Sequence, residues 1–347
     1  MEKKSEPFLT RVTKKLHLKG KRKIYATIAL IIFTIIGINL LTTDWQLIAD
    51  ERKASNYSAS DEIKSITNSL SLTRKGRAVF FASQPKLLSS VDFNKTCGRD
   101  GSDTFTAGCY YKDSKDDEHI EIYNVGSSTI SENGLTYNFS EYRKSVALHE
   151  MLHAVWERFD ENKRTSTCGD LKVLSNQISA LKQEVSLYKN SEICTELFAR
   201  MGSEYAPILS PNNNIATSSN IPVRYSSLDS SGKNAIANLI KVYDEYFDTT
   251  KCTWTVAYWQ NQNQLSSFEA KILNYADSLK NKEQNTRALI NQYYYWPTRG
   301  RYNTANNAIA EYNNMVSTFN SYVDTYNKIY TKLDSERTMS SGIYLNL

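Results

Sequence analysis

A chain of 347 residues is long enough for one large domain or two modest ones, so length excludes neither an enzyme nor a binding protein. The formal charge of +5 is unevenly placed: residues 1–23 hold nine basic residues against Glu2 and Glu6, a net +7, which leaves −2 on everything after them. That remainder has no basic surplus for a polyanion, and nucleic acid is excluded as a partner.

The basic tail, residues 1–23, runs into residues 24–41 (IYATIALIIFTIIGINLL), an uncharged stretch near the lower length limit for crossing a bilayer. It reads as a retained transmembrane helix rather than a cleaved signal peptide, because the preceding region is long and no A-x-A site directly follows the apolar core. The positive-inside tendency keeps the N-terminus in the cytoplasm and places everything after Asp44 outside, giving a single-pass protein of the cell membrane with Trp45 as an interface anchor. All five cysteines, Cys97, Cys109, Cys168, Cys194 and Cys252, lie beyond that segment, where disulfides persist. Cys97 and Cys109 flank a short Gly-rich polar loop and are the first pair expected; of the other three, one must lack an intramolecular partner. No C-x2-C spacing occurs, which argues against a zinc ribbon.

Residues 42–58 are expected as a polar stalk and 59–205 as the first folded domain. Ser60 opens a helix with Ile63, Ile66 and Leu70 at helical spacing. Three β-branched or aromatic runs, 77–83 (RAVFFAS), 106–112 (TAGCYYK) and 119–125 (HIEIYNV), predict strands. From 140 to 159 the pattern turns helical and is apolar around most of the circumference, as in a helix buried at a domain centre. Leu171, Leu174, Ile178, Leu181, Val185 and Tyr188 predict one amphipathic helix, and 191–205 (SEICTELFARMGSEY) another. Residues 206–232 are expected as a loop or linker and 233–347 as a helical C-terminal region, starting with a helix over 234–247. Within it, two 3-4 alternations over 265–293 and 302–333 flank Pro297 and Gly300 and predict an antiparallel helical hairpin, a coiled coil over 260–335. Its seam is rich in tyrosine, which leaves two readings: a packing arm, or a surface for a protein partner.

The chemistry concentrates in residues 146–155, VALHEMLHAV, which hold two of the four histidines. On a helix His149 and His153, four apart, present both imidazoles to one ion, while Glu150 stands one step round. Two neutral imidazoles and a carboxylate suit Zn2+ with a water in the fourth position, and Glu150 is placed to take that water's proton during attack on a carbonyl. Burying these groups together without a metal costs several kcal/mol, which weighs against two core histidines satisfied by hydrogen bonds alone. His17 falls in the cytoplasmic tail and His119 on a predicted strand, so the third ligand is sought among the carboxylates of 191–205: Glu192, Glu196 and Glu204.

Here the chain resembles the gluzincin branch of the zincin metallopeptidases, in which H-E-x-x-H is followed by a helix bearing a glutamate ligand. The stretch T-E-L-F-A at 195–199, with Glu196 43 residues beyond His153, is similar to that glutamate helix, and the resemblance covers 60–205. It implies an α+β fold: a zincin-like catalytic domain with a small sheet, an active-site helix and a glutamate helix. It also implies Zn2+ held by His149, His153 and Glu196, with Glu204 as the fallback, and Glu150 as catalytic base. The implied activity is hydrolysis of a peptide or protein substrate at the cell surface, with 119–125 as the edge strand that pairs with substrate. Two departures stand out. Arg200 occupies the place where many members carry an Asp that orients a histidine, and only Tyr188 and Tyr205 offer themselves as oxyanion donors. The alternative is a catalytically inactive surface adaptor of the same fold acting through its hairpin.

Overall fold

The computed structural model describes residues 44–97, 107–185, 192–209 and 223–333. The expected cytoplasmic tail and the expected transmembrane segment 24–41 lie outside them; among the described residues no helix is long and apolar enough to cross a membrane. Contacts group the chain into units 1–49 and 50–347, and the second is mostly helical with two small sheets, α+β in the broad sense.

The expected stalk contains a helix, α1 (Trp45–Ser55). Ser60 caps α2 (Asp61–Ser69) by accepting the N–H of Ile63, and Ile63 and Ile66 are buried on its inner face. The predicted strand 77–83 is instead helix α3 (Arg74–Ala82). Thr73 caps it through the N–H of Gly76, and a Cβ on Gly76 would stand 1.9 Å from the carbonyl oxygen of Tyr246, so glycine lets this helix press against the chain near 246. Local capping and that contact override the β preference of Val79, Phe80 and Phe81.

Strands β1 (Lys86–Leu88), β2 (Gly108–Lys112) and β3 (Glu118–Tyr123) form one sheet in the order β1-β3-β2, with α4 (Ser90–Cys97) between β1 and β2 in sequence. β1 runs parallel to β3, and β2 antiparallel to it. The strand expected at a free edge, 119–125, is therefore central, and β2 forms the edge beside the H-E-x-x-H helix. Alternation of Ile120 and Ile122 announces a strand with a buried face but says nothing about how many neighbours it has. A second ribbon, β4 (Thr129–Glu132) and β5 (Leu135–Asn138), turns at Asn133-Gly134 with φ of +54° and +82°, the left-handed pair that a two-residue hairpin requires.

Asn138 caps α5 (Phe139–Glu157), the H-E-x-x-H helix, which runs through the larger core: Ala147, Leu148, Met151, Leu152, Ala154 and Val155 are all fully buried. Just past its C-terminal end Arg158 makes a bidentate contact with Asp50, at 2.8 Å on each arm, and reaches Glu118 at 2.7 Å, joining α1, β3 and α5 through three buried charges. The single helix expected over 171–188 is broken at Ile178 into α6 (Glu161–Gln177) and α7 (Ser179–Val185). Next comes α8 (Ile193–Arg200), continued by a π-helical turn (Met201–Tyr205) and α9 (Ala206–Leu209), so the start of the expected linker is buried helix. The amphipathic α10 (Ser230–Asp244), capped by Asp229, packs its apolar side into the same core, which continues to Trp254, beyond the expected domain end at 205.

The C-terminal hairpin forms as expected: α11 (Trp254–Tyr295) and α12 (Arg299–Leu333) are joined at 296–298. Phe268, Ile272 and Leu279 of one helix and Phe319, Tyr326 and Leu333 of the other are buried on its seam, whereas Tyr302 and Ile309 are exposed. Leu135, Tyr137 and Phe139 join this second core, and Asn133 donates to Ser321 and Thr325, so the β4–β5 ribbon braces the base of the arm.

Candidate metal centre

Three side chains from two helices converge. His149 and His153 sit one turn apart on α5, with Nε2 atoms 3.1 Å from each other; Glu196 on α8 places one carboxylate oxygen 3.5 Å from the first and the other 3.6 Å from the second. All three are partly buried, 13–20% exposed at the side chain. A tetrahedral zinc ion with bonds of about 2.0–2.1 Å would require its ligand atoms about 3.3–3.4 Å apart; each contact is near that spacing although the two to Glu196 end on different oxygens, and one ligand atom from each residue forms a triangle with all edges within 4.8 Å. The donor set fits as well, two imidazole nitrogens and a carboxylate.

The charges of these groups are strongly coupled. Burial pushes the His149 pKa down, but its hydrogen bond to Glu196 and the charges of Glu150, Glu196 and Glu204 outweigh burial, and the net shift is upward. Burial pushes Glu196 up, and its bond to His149 with the charges of His153, His149 and Arg200 outweighs that, holding the carboxyl down to about 2. Glu196 is thus an anion that calls for a positive partner, a place for which a proton on His149 and a metal ion held by neutral imidazoles would compete.

Neighbouring residues hold this triangle in place. His153 Nδ1 lies 3.1 Å from the hydroxyl of Thr195; donation from Nδ1 to that oxygen leaves Nε2 with its lone pair facing the triangle. Thr195 therefore orients a histidine, a task the resemblance assigns to an Asp four residues after the glutamate. Arg200, which stands there, lies 3.9 Å from Glu204 instead. Of the other carboxylates considered, Glu192 is exposed just before α8, and Glu204 lies on the π-helical turn, outside the triangle although its charge reaches His149. The disulfide Cys168–Cys194 fastens α6 to the residue before Thr195, and the expected Cys97–Cys109 bond forms too, leaving Cys252 as a buried free thiol. Gly202 closes the approach of α8 to α5, since a Cβ there would come within 2.4 Å of Leu152.

Glu150 is 5% exposed and faces β2: a Cβ on Gly108 would stand 2.6 Å from its Oε1. The base candidate is thus lodged between its own helix and the edge strand. Neither Gly108 nor Thr195 draws notice in the sequence, because each acts through a contact with a residue more than forty positions away on another element. Of the two expected oxyanion donors, Tyr188 lies outside the described residues, and Tyr205 is 1% exposed with its ring 5.3 Å from that of Trp259. His119 pairs with Asp113 and stacks on Tyr111, away from the triangle.

No family model matches the chain, and neither a curated protein nor a solved structure matches it. The functional reading therefore rests on the site itself.

Proposed function

We propose that the chain is a zinc metallopeptidase, held in the cell membrane by residues 24–41 with its catalytic part outside, and similar to the gluzincins in its ligand set. The observation that carries this reading is the triangle of His149, His153 and Glu196, whose ligand atoms lie within 4.8 Å of one another, beside a buried Glu150. Zinc held by those three residues would supply a Lewis acid for a peptide carbonyl and lower the pKa of a bound water toward neutrality. Glu150, next to His149 on the helix and walled in by Gly108, accepts the attacking water's proton and returns it to the leaving amine. Thr195 keeps His153 in the tautomer that a ligand needs. The outer edge of β2, which pairs with no strand among the described residues and lies beside Glu150, would offer main-chain hydrogen bonds to an extended peptide, which suits a protein or peptide substrate.

The test uses the purified full-length chain. Wild type is expected to carry one zinc per chain at neutral pH and to cleave peptides from a mixed library. Glu150→Gln is expected to keep the zinc and lose cleavage by roughly 10²–10⁴-fold, the usual contribution of a general base. Absence of stoichiometric zinc in the wild type would overturn the proposal and favour the adaptor reading, in which function survives Glu150→Gln and is lost with the hairpin.

A further inference from the structure

The tip of the C-terminal hairpin combines three features beyond the ring contact of Tyr293 with Tyr302, 5.5 Å between centroids, that joins its helices there. First, six of the ten exposed large apolar side chains among the described residues fall within 290–309, with Tyr294, Tyr295 and Trp296 exposed by 78, 73 and 70%. Second, no Asp or Glu occurs from 284 to 310; Arg287 pairs with Glu283 below the tip, which leaves Arg299 and Arg301 as the cations of the turn. Third, a shallow, open recess of about 380 Å³ at the turn is lined by Tyr293, Pro297, Thr298, Arg299 and Tyr302, which puts an arginine and two tyrosines at its border. Such a recess matches a phosphate ester by charge and by hydrogen-bond donors.

The charge and the amphipathic rings of the tip select the partner. Tyr294 and Tyr295 meet edge to face, with ring centroids 5.4 Å apart and planes 88° apart, and Trp296 follows at the helix end, so three exposed aromatic rings lie together beside the arginines of the turn. A fluid bilayer interface accepts all of them, with indole and phenol rings at headgroup level and arginines on anionic phosphates. Two arginines at the turn are too few for a nucleic-acid track, which needs a longer basic stripe. We propose that the hairpin tip docks on an anionic lipid surface, through Tyr294, Tyr295, Trp296 and Tyr302 with Arg299 and Arg301, independently of the metal centre.

The experiment holds the full-length chain in phosphatidylcholine nanodiscs. Acyl-brominated lipid is placed either in the disc or in added vesicles, of phosphatidylcholine alone or mixed with phosphatidylglycerol, and the fluorescence of Trp296 is isolated by subtracting the signal of Trp296→Phe. Expected is quenching of Trp296 when the brominated lipid is in the phosphatidylglycerol-containing vesicles, with release at high salt. Arg299→Gln/Arg301→Gln should weaken vesicle binding roughly 30-fold with helicity and zinc content unchanged, since both residues are exposed. Absence of quenching in every membrane, equal quenching in phosphatidylcholine alone, or retention by isolated cell-wall glycan or nucleic acid in place of vesicles would each overturn the proposal.

Discussion

Thr195 stands one residue before Glu196 and 3.1 Å from Nδ1 of His153, so a single turn of α8 supplies both a ligand and the group that orients another ligand. Replacing it with valine keeps the volume but removes the acceptor; zinc affinity is expected to fall about 10–100-fold by competition with a chelator, while Thr195→Ser restores most of it. Gly108 acts by what it lacks. Any side chain there enters the space of the Glu150 carboxylate and of Val146, whose Cγ1 would be 2.8 Å away. Gly108→Val is therefore expected to lower kcat without lowering zinc content, and retention of full activity would show that Glu150 does not depend on this wall. Both effects belong to single atoms, and neither has a sequence pattern.

Among elements, the packing of α3, α6 and α10 around Glu245 offers a test by pH. Glu245 accepts from Lys163 at 2.9 Å and Lys75 at 3.2 Å; burial raises its pKa, but the two lysines outweigh burial and the net shift is downward. A carboxyl whose folded pKa is depressed adds stability that is fully present above its unfolded value, near 4.5, and is lost as pH falls through the lower folded value. Glu245→Gln should thus lower Tm modestly at pH 7 and show a shallower loss between pH 5 and pH 3 than wild type, followed by thermal melts across that range. Partial exposure of the carboxylate keeps the effect small. Helices in this chain were legible where caps and periodicity agreed, as with Ser60 before α2 and the 3-4 spacing of the arm. The run 77–83 misled because its aromatic content resembles a strand while its cap and its contact at Gly76 make it helical.

Across the full fold, the site depends on fastening distant segments. Cys168–Cys194 closes a loop with a separation of 26 residues and ends next to Thr195, so it constrains both the unfolded chain and the helix that carries Glu196. The double substitution Cys168→Ser/Cys194→Ser is expected to cost about 3–4 kcal/mol on the loop-entropy account, seen as a Tm drop of several degrees. Zinc affinity should fall with it. An unchanged affinity would mean that packing of Phe198 against Trp156, Phe159 and Tyr243 positions Glu196 without the bond.

Local patterns along the chain were enough to set out the elements of the chemistry: an H-E-x-x-H pair on one helix face, a downstream helix with three candidate carboxylates, one disulfide across a short loop, and a hairpin turning near Pro297. Each arises from spacing within one segment, where helix geometry alone decides which side chains meet. Tertiary packing settled which carboxylate reaches the histidines, which strand lies at the edge beside Glu150, and that Thr195 stands against His153. Those choices depend on how α8 and β2 pack on α5, through close approaches at Gly202 and Gly108 that only the folded chain brings about.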